Sequence, residues 1–231
     1  MSGLGSGGGF RQAVGFLTVG GGPSDPTSSS LGWFPVVGAG IGALLGVCWW
    51  GLAHLFPPFV VAALVVALDL LITGMLHFDG LVDAADGLLP HLPVERRLAV
   101  MAEPQAGAFG VAVATTTLLC RFAALVALSE LWPFQLSRVV LLLAAVYVLS
   151  RAVMVLAIDR LSYVRAGGIA AAFLGPRARG LVQGLAALAS LGLGLGALLA
   201  WNIRGGGVVF VAELLAAGSV LGLARRRIGG Y

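Results

Sequence analysis

Lysine is absent from this 231-residue chain, and charge of either sign is scarce. Charged residues make up 10% of it, against about 25% in an ordinary soluble domain. With 59% hydrophobic residues, too little polar surface remains to coat a globule in water. The 14 basic residues are all arginine and lie scattered between apolar runs. They form no continuous basic stripe, which excludes a nucleic-acid-binding face. Only two cysteines occur, Cys48 and Cys120, both in apolar segments and without a CxxC spacing. They read as small core residues rather than as a redox pair. Short alternating segments of about ten residues, the mark of a membrane β-barrel, are also missing. The opening stretch MSGLGSGGG is too polar and too short to be the apolar part of a signal peptide. It reads as the start of a flexible cytoplasmic lead-in over residues 1–30.

What is present is a series of long apolar runs, at about 34–53, 57–76, 108–128, 138–158, 181–200 and 207–224. Each approaches the roughly 20 residues that cross a bilayer as helix. The fold class expected is an all-α integral membrane protein. It is a polytopic bundle of about six transmembrane helices with short cytoplasmic helices in the loops, forming one membrane domain over 1–231. Pro57 and Pro58 forbid a continuous helix between the first two runs. Abundant glycine suits close helix packing in lipid, so the 192-GLGLG-196 stretch, with no strand before it, reads as packing rather than a phosphate loop.

Two longer connections, 77–107 and 159–180, hold most of the polar chemistry. With six spans, both connections and both termini share one side. That side collects Arg11, Arg96, Arg97, Arg160, Arg165, Arg177, Arg179 and Arg225 to Arg227, while the other collects only Arg138 and Arg204. Arginine-rich loops face the cytoplasm, which places the amino terminus and both loops there, in a cell membrane. Asp69, Arg121, Arg151 and Glu213 fall inside apolar runs, where charge is costly and faces a bundle interior or a wet cavity. Asp69 either pairs with Arg121 or Arg151 simply to neutralise them, or the arginines bind an anionic substrate. Glu213 reads as structural.

The most informative segment is 73-TGMLHFDGLVDAADGLLP-90. Asp79, Asp83 and Asp86 are spaced i, i+4, i+7 and stay within roughly 60° of one another on a helix. Three carboxylates on one face repel unless a cation sits among them, and hard oxygen ligands suit Mg²⁺ bridging to substrate phosphates. The three aspartates are therefore the candidate metal ligands. Gly80 and Gly87 would let a phosphorylated ligand approach the backbone, and His77 could orient a carboxylate or take a proton. The opposing reading makes these acids a solvated face with helix caps. Leu98 and Met101 suggest a short amphipathic helix. Arg96 and Arg97 beside it could bind phosphate, and 107-GAFG-110 either holds a ligand or merely starts a helix. In the second loop Tyr163 and Arg165 stand near Gly167 and Gly168, where arginine forks suit phosphate.

The run 73-TGMLHFDGLVDAADG-87 resembles the T-G-G-L-H-L-D-G-L-A-D-T-A-D-G signature of cobalamin synthases, the adenosylcobinamide-GDP ribazoletransferases. Further similarity lies in 34-FPVVGAGIGALLG-46, 101-MAEPQAGAFGV-111, the pair Ser150-Arg151 and 163-YVRAGGIAAAF-173, so it extends over nearly the whole chain. Glu103 and Gln105 depart from the Asp and Arg common at those places. Family members also continue past such a Gly-Gly into a T-G-D-x-x-G-A motif and another helix, whereas this sequence stops at 225-RRRIGGY-231.

The resemblance implies a Mg²⁺-dependent transferase late in cobalamin assembly. It would join adenosylcobinamide-GDP to α-ribazole or its 5′-phosphate and release GMP. In that reading Asp79, Asp83 and Asp86 hold the metal on the diphosphate, and the ribazole 5′-hydroxyl attacks. Asp83 and His77 are the catalytic candidates. Gly80, Gly87, Arg96, Arg97, Arg151, Tyr163 and Arg165 are the substrate-binding ones. Membrane lipid surrounds it, no nucleic acid is involved, and a homo-oligomer is compatible. Two rivals stand beside this. A CDP-alcohol phosphotransferase would need an Ala-Arg after its Asp-Gly and a distant Asp pair, both absent. A transporter would run substrate past Asp69, Arg121 and Arg151 and often shows an internal repeat; none is evident.

Overall fold

The structure is a computed structural model describing residues 6–22, 26–131, 135–164, 169–173 and 177–230. The helices are α1 Ser6–Leu17, α2 Phe34–Leu52, α3 Pro58–Ile72, α4 Leu76–Leu88, α5 Val94–Val100, α6 Ala108–Leu131, α7 Leu136–Arg160, α8 Arg177–Trp201 and α9 Ile203–Ile228. Three 3₁₀ turns, Val19–Gly21, Ser28–Trp33 and Ile169–Phe173, complete the described elements, and no strand occurs among them. Among the described residues, five stretches are long and apolar enough to span a bilayer: Ser28–Leu52, Ala108–Glu130, Leu136–Arg160, Gly184–Trp201 and Ile203–Ile228. A sixth, formed by α3 and α4 together, is broken by a 91° bend. The expected membrane bundle is therefore present.

Helix α2 is held against α7 by a row of small residues. Gly38, Gly42 and Gly46 recur every four positions on one face. A Cβ on Gly42 would lie 2.3 Å from the Leu143 carbonyl oxygen, and one on Gly46 2.7 Å from Val140 Cα. The two backbones meet without intervening side chains, the usual way membrane helices gain packing where lipid removes the hydrophobic drive. Gly194, from the GLGLG stretch, sits within α8 against the Leu149 side chain, as packing predicts. Helices α6 and α9 instead show apolar flanks outward, with Leu119, Val208 and Leu215 exposed, as lipid-facing surfaces require.

The amino-terminal segment differs from expectation. Residues 1–30 were expected to form a flexible lead-in, but Ser6–Leu17 is helix, and Ala13, Leu17 and Leu31 are fully buried against α2, α7 and the Ile169–Phe173 turn. The Phe16 ring stacks on Phe34 at 5.5 Å and meets Phe173 edge-on at 5.0 Å. The glycine-rich start obscured three apolar residues, Ala13, Phe16 and Leu17, at helical spacing.

The bend before α4 has a local cause. Thr73 ends α3 and its hydroxyl donates to the Asp69 carbonyl at 2.8 Å. Gly74 (φ 58°) and Met75 (φ 59°) are then both left-handed. Gly74 adopts this freely, whereas a side-chain-bearing residue such as Met75 pays roughly 1–2 kcal/mol. Two left-handed residues in succession swing the chain out of α3, so that α4 starts afresh at an angle rather than continuing the span.

Candidate active site

Helix α4 carries the signature residues, and the structure divides them into two groups. Asp86 is buried, with both oxygens used. The Gly107 amide donates to Oδ2 at 2.7 Å and the Gly110 amide to Oδ1 at 2.8 Å. These amides open α6, so Asp86 caps the amino terminus of another helix, where a carboxylate also complements the dipole. A Cβ on Gly107 or Gly110 would fall within 2.5 Å of an Asp86 oxygen. The GAFG turn is thus a seat for Asp86. Arg97 is buried too, its guanidinium donating to the Gly87 carbonyl at 2.7 Å and the Leu88 carbonyl at 3.1 Å. It closes the carboxyl end of α4. Gly87 faces the Met101 side chain, which occupies the place of a Cβ.

Three expectations change accordingly. The aspartates do not form a three-carboxylate metal cluster: among the described residues no group of three or more His, Cys, Asp or Glu side chains could hold an ion. Arg97 is committed to backbone carbonyls rather than to phosphate. Gly87 serves side-chain packing rather than ligand approach. Arg96 is exposed and pairs with Glu103 at 2.9 Å. Arg165 lies outside the described residues.

The second group lines a cavity. Gly80, Asp83 and Tyr163 line a cavity of about 340 Å³ closed by Leu98, Met101 and the last turns of α9. Among the described residues nothing lies within 4 Å of a Cβ built on Gly80, which leaves room for a ligand to approach the backbone there. Asp79, one turn before Asp83 on the same helix, is exposed. A second cavity of about 640 Å³ shares Ala170, Val220 and Leu221 with the first and is walled mainly by α7 and α9. His77 and Ser150 join this cavity to a third of about 290 Å³, lined by Asp69, Arg121, Tyr147 and Arg151. The three spaces form a string running from the Asp83 edge into the bundle.

The intramembrane charges settle into two roles. The Arg121 guanidinium donates to Asp69 Oδ2 at 2.6 Å, and the Tyr147 hydroxyl donates to Asp69 Oδ1. Of the two partners considered for Asp69, Arg121 is the one that pairs with it. Arg151 is buried, its guanidinium over the Tyr147 ring at 5.2 Å, and it donates to Ser150 Oγ at 2.9 Å. Its Nε has no hydrogen-bond partner among the described residues, and neither has His77 Nε2 or Glu213 Oε2. Sequence reasoning missed this convergence, since His77, Ser150 and Glu213 come from three helices and share no spacing.

A family model described as cobalamin-5-phosphate synthase matches residues 9–231. The chain belongs to that family. Among curated proteins, the adenosylcobinamide-GDP ribazoletransferase of Chlorobium phaeovibrioides is 33% identical over 229 residues, covering 96% of this chain and 88% of that protein. The enzyme of the same name from Pseudomonas fluorescens is 36% identical over 219 residues, covering 90% and 83%. No solved structure matches. Within a cobalamin-5-phosphate synthase, the two similar segments around residues 73–87 and 101–111 acquire a physical link: Asp86 in the first is capped by Gly107 and Gly110 in the second.

Proposed function

We propose that the chain is an adenosylcobinamide-GDP ribazoletransferase, releasing GMP at the arginine-rich, cytoplasmic edge of a cell membrane. The reading rests chiefly on one observation: in a chain of this family, Asp83 and Gly80 line a cavity at the membrane edge beside Tyr163. Asp79 and Asp83, one helical turn apart, are the residues that would hold Mg²⁺. One or two carboxylates together with substrate phosphates are its usual ligands, so a three-aspartate cage is not required. Bound there, Mg²⁺ would supply charge neutralisation on the diphosphate.

The chain's own residues support the rest of the reaction. A ribose hydroxyl of ribazole forms a bond to the phosphorus nearest cobinamide, the bond to the bridging oxygen breaks, and GMP leaves. The hydroxyl proton needs an acceptor, and the position of His77 at the junction of two cavities supports it in that role. The family's description as a cobalamin-5-phosphate synthase favours a ribose hydroxyl other than the 5′ one as nucleophile whenever the 5′ position carries phosphate. This replaces the 5′-hydroxyl expected from the sequence.

The test is GMP release by the detergent-purified protein given adenosylcobinamide-GDP and α-ribazole phosphate, with Mg²⁺ or with EDTA. Release requiring both substrates and the metal is expected. Release from adenosylcobinamide-GDP alone would point to a hydrolase, and no release under any of these conditions overturns the transferase reading. For orientation, a reporter active only in the cytoplasm should be active when fused to the carboxyl terminus.

A further inference from the structure

The 640 Å³ cavity lies within the roughly 300–1,000 Å³ range that encloses a small organic ligand. Its walls are almost wholly apolar, built by Phe16, Val153, Met154, Phe173, Ala217 and Leu221. Among the described residues, polar groups enter only as His77, Ser150 and Glu213. Two of these, His77 and Glu213, keep a buried polar atom with no hydrogen-bond partner among the described residues. A buried unpaired polar atom costs about 1–3 kcal/mol, so a ligand that supplied its partner would be favoured. The space therefore asks for a molecule with a compact apolar body and a hydroxyl-bearing end.

Of the two substrates in the proposed reaction, only one has that form. Ribazole is a ribonucleoside whose base is an apolar fused aromatic bicycle. Adenosylcobinamide-GDP is far larger and carries an anionic diphosphate and a guanine with polar edges. A phosphatidylcholine could fill apolar space too, but it carries no hydrogen-bond donor for the unpaired Glu213 oxygen. Resting on the transferase reading, we propose that this cavity between α7 and α9 is the ribazole subsite. The aromatic base lies among Val153, Met154, Phe173 and Ala217, and the ribose hydroxyls turn toward Glu213 and His77. The bundle interior then has a specific use: it offers the dry walls that an apolar nucleobase needs, next to the wet edge that handles the diphosphate.

The experiment is a titration of α-ribazole into the full chain in phosphatidylcholine nanodiscs, with EDTA and without the second substrate, followed by the fluorescence of the base. Saturable binding is expected. Ala217→Phe fills the cavity and should weaken binding about tenfold or more. It should raise the KM for ribazole equally and leave the KM for adenosylcobinamide-GDP unchanged. Glu213→Gln keeps shape, guards against a misfolded Ala217 variant, and should weaken ribazole several-fold. Leu193→Phe, on the exposed flank of α8, should change neither. Ribazole affinity unmoved by both Ala217→Phe and Glu213→Gln, in folded protein, overturns the proposal. So does transferase activity without any binding of ribazole alone, since the cavity would then hold lipid. Saturable, cavity-dependent binding by a protein with no transferase activity would sink the reaction and leave this subsite standing.

Discussion

The two ends of helix α4 belong to one 13-residue element and one signature run, yet they do opposite work. At the carboxyl end Asp86 and Gly87 are buried against α6, Arg97 and Met101, and both Asp86 oxygens and the Gly87 carbonyl accept hydrogen bonds from the protein. Toward the amino end His77, Gly80 and Asp83 line connected cavities. The first end fastens three helices together, and the second presents groups to a ligand. A motif of alternating Asp and Gly therefore does not mark one kind of residue. Half of it builds the platform on which the other half acts.

The sharpest way to break this comparison is to exchange carboxylates for amides at the two aspartates. Asp83→Asn should lower turnover by about 10²–10³, the range for removing one electrostatic stabiliser, with the apparent melting temperature preserved. Asp86→Ala should do the reverse. It orphans two amide donors at about 1–3 kcal/mol each, so the melting temperature should fall clearly while the remaining folded fraction keeps its KM values. If Asp86→Ala in folded protein lost Mg²⁺ dependence instead, the capping assignment would be wrong and the three-aspartate metal cluster restored.

A smaller effect on activity is expected at the carboxyl end of α4. Arg97→Met keeps a long apolar stem but removes two charge-assisted hydrogen bonds to carbonyls, each worth roughly 1.5–3 kcal/mol. Thermal stability should drop while the KM for adenosylcobinamide-GDP stays level. A raised KM without loss of stability would return Arg97 to the phosphate.

How much of this was legible beforehand follows from the kind of signal each feature leaves. The spans were visible because a helix in lipid must be apolar along its length, and the hinge at Pro57-Pro58 because proline removes a backbone donor. The signature run located α4, and its i, i+4, i+7 spacing correctly put three aspartates toward one face. Spacing could not show that Gly107 and Gly110, more than 20 residues later, would take Asp86 away from the others, because a tertiary cap has no period. For the same reason Arg97 and Arg96 looked alike in sequence, though one is buried and the other exposed. The amino-terminal helix was hidden by composition: its glycines outvoted the few apolar residues that anchor it. The His77, Ser150 and Glu213 junction left no trace, since its members are distant in sequence and ordinary in type.

The smallest predicted effect is at Arg96. Its pair with Glu103 is 2.9 Å long, but the two side chains are 57% and 43% exposed, and such pairs contribute about 0–1 kcal/mol. Arg96→Ala should therefore leave the melting temperature almost unchanged. Nor does Arg96 line the cavity that holds Asp83, so the KM for adenosylcobinamide-GDP at moderate salt should shift by less than about twofold, the residual of a screened surface charge. The neighbouring Arg97→Met, one residue away, then serves as the control in which stability alone responds. A several-fold rise in KM for Arg96→Ala, disappearing at high salt, would extend the anionic contact from the Asp83 edge across α5. The division of labour would then run between adjacent arginines as well as between the two ends of α4.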